Sequence, residues 1–135
     1  MVPEIKAEWI RRLRSGQYNQ GKGALRRKRR TQEKDEYCCL GVLCEIAVEA
    51  GVVQRFLKRE LIPGAEKFAY GLSEEDQRTA FLPLEVQIWA GLNGTNPAIR
   101  RTSPRYPHIR ARFLSDLNDQ GTSFAEIADL IDASL

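Results

Sequence analysis

Three cysteines, Cys38, Cys39 and Cys44, and one histidine, His108, are the side chains of this sequence best suited to nucleophilic or metal chemistry. A tetrahedral metal site needs three or four converging ligands. The C-C-x4-C spacing supplies them poorly, because neighbouring residues on a strand point to opposite faces. The spaced Cys-x-x-Cys pair of thiol redox sites does not occur. A thiolate nucleophile needs a histidine base and an orienting amide or carboxylate. His108 with Asn118 or Asp119 assembles that set on paper, but no spacing demands it. Glu74-Glu75-Asp76 reads as a solvated turn, not a hydrolytic pair. The expectation is a protein that is not an enzyme, without metal or cofactor, whose cysteines pack in a core.

Positive charge is the stronger signal. Net charge is only +3, yet Arg26, Arg27, Lys28, Arg29 and Arg30 run consecutively, and Arg100, Arg101, Arg105, Arg110 and Arg112 form a second basic stretch. No lysine or arginine follows Arg112, while Asp116, Asp119, Glu126, Asp129 and Asp132 do. Such polarity suits either an anionic partner or two faces of one molecule that attract each other. Lys22, Arg26, Arg27, Tyr37, Arg100 and Arg105 are the expected ligand-binding residues; of Tyr18, Tyr37 and Tyr70, one could stack on a base while the other two suit the core. The loop Gln20-Gly21-Lys22-Gly23, beside the start of the helix after Cys39, could offer backbone amides to an anion. It lacks the glycine spacing and lysine-serine/threonine ending of a phosphate loop. Gly121 to Ala128 looks like the entry helix of a helix-turn-helix, but the acidic chain ends too soon for a recognition helix.

The elements that must position these residues follow from periodicity. Ile5, Trp9, Ile10 and Leu13 make one stripe of a helix over Pro3 to Leu13. Gly23 to Arg26 and Tyr37 to Cys39 read as the strands of a long hairpin, with 27–36 its charged and mobile tip. Leu40 to Gly51 is an apolar, central helix. Val52 to Leu61 is ambiguous and suits a short helix; Lys67 to Gly71 suits a third strand. Pro83 opens a helix over Leu84 to Ala90, with Val86, Trp89 and Ala90 packing. The loops Asn93 to Pro97 and Thr102 to Pro107 precede a helix over Ile109 to Leu117, with Phe113 inward. Ser123 and Glu126 form a capping box for the last helix. The predicted fold is α+β and helix-rich: a small antiparallel sheet packed against about five helices.

A chain of 135 residues, 42% hydrophobic and 29% charged, is one globular domain spanning 1–135. It has no apolar run of the roughly 20 residues that cross a bilayer. The start, Met1-Val2-Pro3-Glu4, lacks the apolar core of a secretory signal. A cytoplasmic location is expected, away from membranes.

Three segments together carry a family resemblance: Tyr37 to Cys44 (YCCLGVLC), Leu82 to Leu92 (LPLEVQIWAGL) and Leu117 to Ala128 (LNDQGTSFAEIA). With Leu13-Arg14-Ser15-Gly16 and Gln20 to Leu25, they span most of the chain in order. The sequence resembles a family of small bacteriophage proteins, though its basic stretch before the paired cysteines is longer than those relatives often have. The resemblance implies a phage setting, in the cytoplasm of a host cell, and brings no particular activity. With the arginine supply it suggests a non-catalytic binder that sequesters an anionic small molecule, such as a nucleotide-derived host defence signal. The alternative partner is a host protein; nucleic acid on the basic arm is a third, and homo-oligomers are compatible with each.

Overall fold

The structure is a computed structural model that describes residues 1–28, 34–60, 66–99 and 113–135. Helix α1 (Pro3–Arg14) starts with proline in its first turn, where a missing N–H breaks no helical bond. Its stripe buries Trp9, Ile10 and Leu13, and the Trp9 indole donates to the Cys39 carbonyl at 2.9 Å. Helix α2 (Cys39–Glu49) is buried from Cys39 through Ala47. A helix apolar all round must lie at the centre of its domain. Cys38 caps it, its Sγ accepting from the Gly41 amide at 3.4 Å. Gly41 lies so close to the neighbouring chain that a Cβ there would overlap the Leu25 carbonyl.

Helix α3 (Leu84–Ala90) ends at Gly91, whose φ of 70° is the left-handed geometry glycine adopts freely. Helices α4 (Leu114–Asp119) and α5 (Phe124–Ser134) complete the helical layer. The capping serine of α5 behaves as its sequence predicts, Ser123 Oγ accepting from the Glu126 amide at 3.2 Å. The residues expected to begin a helix at Ile109 lie outside the described set, and Phe113 is half exposed rather than inward.

The strands are β1 (Asn19–Gln20), β2 (Arg26–Lys28), β3 (Glu36–Tyr37), β4 (Gln54–Arg59), β5 (Glu66–Gly71) and β6 (Gln77–Arg78). They form one sheet in the order β1-β3-β2-β5-β4, with β6 also on β5. The class is the expected α+β and the β2–β3 hairpin is present, pairing Arg26 with Tyr37. The sheet is larger than expected and mixed, since β1 lies parallel to β3. The segment that suits a helix at 52–61 is instead the edge strand β4, paired antiparallel with β5 from Gln54↔Gly71 to Arg59↔Glu66. Residues 29–33 of the expected mobile tip fall outside the described residues, while Arg27, Lys28 and Glu36 belong to strands. Among the described residues no helix is long and apolar enough to cross a membrane.

One buried side chain locks these layers. Asn118, in α4, is fully buried. Its Oδ1 accepts from the Cys39 amide at 3.1 Å and from Gln20 Nε2 at 3.0 Å. Its Nδ2 donates to the Gly21 carbonyl at 2.7 Å and to Asp119 Oδ1 at 3.2 Å. Both acceptor sites and both donors are used, the whole valence of a primary amide. The near-isosteric change Asn118→Asp removes the donors and sets a second carboxylate beside Asp119. It is expected to lower stability by about 3 kcal/mol, read from the urea midpoint. A midpoint unchanged from wild type would contradict the role of this amide.

Candidate functional site

The residues predicted to bind a ligand do not form one set. Arg26 and Tyr37 are register partners on adjacent strands and therefore share a face. The Arg26 guanidinium lies 5.0 Å from the Tyr37 ring centroid and 4.4 Å from that of Phe68. Arg27, the next residue of β2, points to the opposite face and pairs with Glu60 at 3.4 Å. Lys22 is exposed in the loop between β1 and β2. Arg100 and Arg105 lie outside the described residues.

Arg26 is the centre of the polar cluster that the fold does build. Its Nη1 donates to Glu45 Oε1 at 2.7 Å and its Nε to Asp35 Oδ2 at 2.9 Å. Glu45 is buried, projecting from α2 toward the sheet. It also accepts from Arg55 Nε at 3.0 Å and from the Tyr70 hydroxyl at 2.8 Å. Desolvation opposes the charge on Arg26, but the field of Glu45, aided by Tyr37, Tyr70 and Asp35, outweighs it and raises its pKa. Burial first, then the Glu45 charge, raise the Tyr70 pKa and keep its hydroxyl a donor. Burial also pushes Tyr37 up to about 12. Tyr37 meets Tyr18 edge-to-face at 5.0 Å between centroids.

Sequence reasoning missed Glu45, Arg55 and Phe68. A glutamate at position 45 suits a solvated side of the helix, and Arg55 sits in a segment read as ambiguous. The only available signal was that a carboxylate on so apolar a helix must find a partner if buried. The backbone amides proposed as an anion cradle are engaged within the protein. Asn118 accepts from the Cys39 amide, Cys38 Sγ from that of Gly41, and Asp119 from that of Gly23, at 3.1 Å.

The thiols lie away from solvent. All three cysteines are free and buried. Burial raises the Cys38 pKa to about 11 and those of Cys39 and Cys44 well above the ordinary value. A thiol held neutral is a poor nucleophile and a poor metal ligand at neutral pH. No group of three or more metal-ligating side chains occurs among the described residues.

A helix-rich α+β domain with a basic sheet and sealed thiols is the class that these features define. The chain belongs to the family described as Domain of unknown function (DUF8296), whose profile matches residues 1–135. No curated protein and no solved structure matches it.

The cluster makes an energetic prediction. Glu45→Gln leaves Arg26 and Arg55 facing a neutral amide, and breaking a buried pair in this way costs about 3 kcal/mol. Tyr70→Phe removes one hydrogen bond to a charged group, worth about 2 kcal/mol. Chemical denaturation of both variants should rank them in that order. A fully stable Glu45→Gln protein would show that Glu45 does not hold the sheet to α2.

Proposed function

We propose that this protein is a bacteriophage accessory protein that works by binding, without turnover, a protein of the host cytoplasm. The supporting observation is the outer face of α3. Phe81, Leu84 and Ile88 are 46%, 57% and 69% exposed. Leu84 and Ile88, at i and i+4, lie on one face of α3, and Phe81 stands three residues before the helix. Single exposed apolar residues are ordinary on any surface; an aligned pair of large ones, with a third exposed just before the helix, marks an interaction site. Val86 and Ala90 bury the other side of the same helix, so the stripe serves no internal packing. The arrangement fits helix-in-groove recognition, in which i and i+4 side chains anchor an apolar groove of the partner. The phage setting rests on the resemblance of the three segments described above.

A second reading is favoured by the Arg26 cluster: capture of an anionic small molecule such as a nucleotide-derived defence signal. Arg26 and Arg55 converge on Glu45, and Arg26 lies against two aromatic rings, a composition suited to a base and its phosphate. Such a ligand must displace Asp35 from Arg26, which places this reading second. If it holds, a panel of cyclic and linear nucleotides will raise the melting temperature, because a ligand of the native state alone stabilises it. No shift with any member of the panel would remove the reading.

The primary reading is tested by cross-linking mass spectrometry in host lysate with wild type and the double variant Leu84→Glu/Ile88→Glu. Losing two apolar anchors should reduce recovery of the specific partner at least about tenfold. Thermal stability should be unchanged, because both side chains already face solvent. Equal recovery of the same partners by both proteins would rule out the α3 face.

A further inference from the structure

The sheet carries more positive charge than its carboxylates balance, and the excess is arranged in a regular way. Glu45 lies between Arg26 and Arg55. Glu60 lies between Arg27 at 3.4 Å and Lys67 at 3.1 Å. Glu66 lies between Lys28 and Arg59, each at 4.0 Å. The hydrogen bond from Lys67, with the charges of Lys67 and Arg27, holds Glu60 below its ordinary pKa against a smaller desolvation effect. Each carboxylate is thus shared by two cations, and only Arg26 has a further acidic partner, Asp35, among these contacts.

The excess is most accessible on one face. Register pairs Lys28 with Glu66 and Glu66 with Arg59, Phe68 with Leu57, and Tyr70 with Arg55. Partners in register share a face, so Lys28, Arg55 and Arg59 project together. Arg59 is 87% exposed, Lys28 49% and Arg55 38% at their side chains. With strands about 4.8 Å apart and a rise of about 3.4 Å per residue, the three cations frame an area of roughly 10 by 13 Å. We infer that this face of β2, β5 and β4 is a docking surface for the phosphate backbone of duplex nucleic acid.

Duplex backbone is the chosen occupant for two reasons. It carries one negative charge per roughly 1.7 Å of axis, a density that rewards cations spread over an area. The face also offers little to unstacked bases. Arg26 already covers Phe68 and Tyr37, and Leu57 has no π face, so single strands lack a stacking platform. Contact through phosphates alone is tolerant of sequence and steeply dependent on salt. This surface uses no residue of α3, so it stands or falls separately from the protein-docking reading. The rival account of these charges is edge protection: β4 ends the strand path, and Lys and Arg on an edge discourage strand-to-strand aggregation.

The test is fluorescence anisotropy of the full chain with a labelled 20-base-pair DNA duplex. Three phosphate contacts give a log–log salt slope of about −2.7, a weakening of about 40-fold between 50 and 200 mM salt. Two unrelated sequences should behave alike. Lys28→Gln/Arg59→Gln should make the slope shallower by about 1.8, and Lys28→Gln alone by about 0.9. The single variant alters only a half-exposed side chain and keeps the measurement available should the double variant aggregate. Leu84→Glu/Ile88→Glu should bind DNA as wild type does. The inference is overturned by no duplex binding at 50 mM salt, by tighter binding of the single strand, or by unchanged slopes in the Lys28 and Arg59 variants.

Discussion

The side-chain amide of Asn118 is the constraint on which the other contacts rest. A buried primary amide is tolerable only when its two donors and its acceptor oxygen are all used. Here they bind three separate parts of the chain: the Gly21 loop, the start of α2 and the end of α4. Only one orientation of the amide satisfies both the Cys39 N–H and the Gly21 carbonyl. That orientation sets where α2 begins, and the Trp9 indole on the Cys39 carbonyl sets it a second time. The position of Glu45, six residues along, is inherited from this start. The grouping of Arg26, Arg55 and Tyr70 around it follows in turn, so the sheet's polar cluster is registered from the opposite side of the helix.

The same dependence explains what could be read in the sequence. Helices α1, α3 and α5 were legible because their signals are local: a 3.6-residue stripe, a proline at the start, a Ser-x-x-Glu cap, a glycine at the stop. The hairpin was legible from its flanking glycines and its charged turn. Strand β4 was not. Its alternation of Arg55, Leu57 and Arg59 with Phe56 and Lys58 mixes charged and apolar residues on both faces, so no period separates inside from outside. What makes it a strand is β5, seven or more residues further on. Strand β1, with two residues, exists only through its pairing to β3. The paired cysteines read as strand in the sequence, whereas one caps α2 and the other opens it; the Asn118 contact that fixes this boundary lies 79 residues away.

The uneven charge of the sequence resolves into two different arrangements. Between α1 and α5 the two signs meet where Arg14 pairs with Asp129 at 2.7 Å; beside it Lys6 donates to the backbone carbonyl of Asp132 at 3.0 Å. Arg12 joins Glu8 and Glu49, tying α1 to the end of α2. Exposed pairs of this kind contribute at most about 1 kcal/mol each, so their effect is to orient helices already held by buried Trp9, Leu13, Ile127 and Ile131. On the sheet the signs do not cancel. Its basic strands β2 and β4 flank β5, whose Glu66 and Lys67 offset each other.

This division separates the interior from the surfaces open to partners. The sealed side of the molecule holds the thiols, the Asn118 amide and the Glu45 carboxylate, whose hydrogen-bonding capacity is directed at the fold itself. Groups so fully engaged are poorly placed to meet a substrate, because any contact they make must first break one that holds the chain together. The open surfaces carry groups with the opposite property. Leu84 and Ile88 on α3, and Lys28 and Arg59 on the sheet, can be covered at little cost to the interior. An apolar stripe gains from burial against any complementary groove, while loosely held cations gain from releasing counterions off a phosphate backbone. The two surfaces therefore respond to salt in different ways: raising ionic strength weakens the second and leaves the first largely intact.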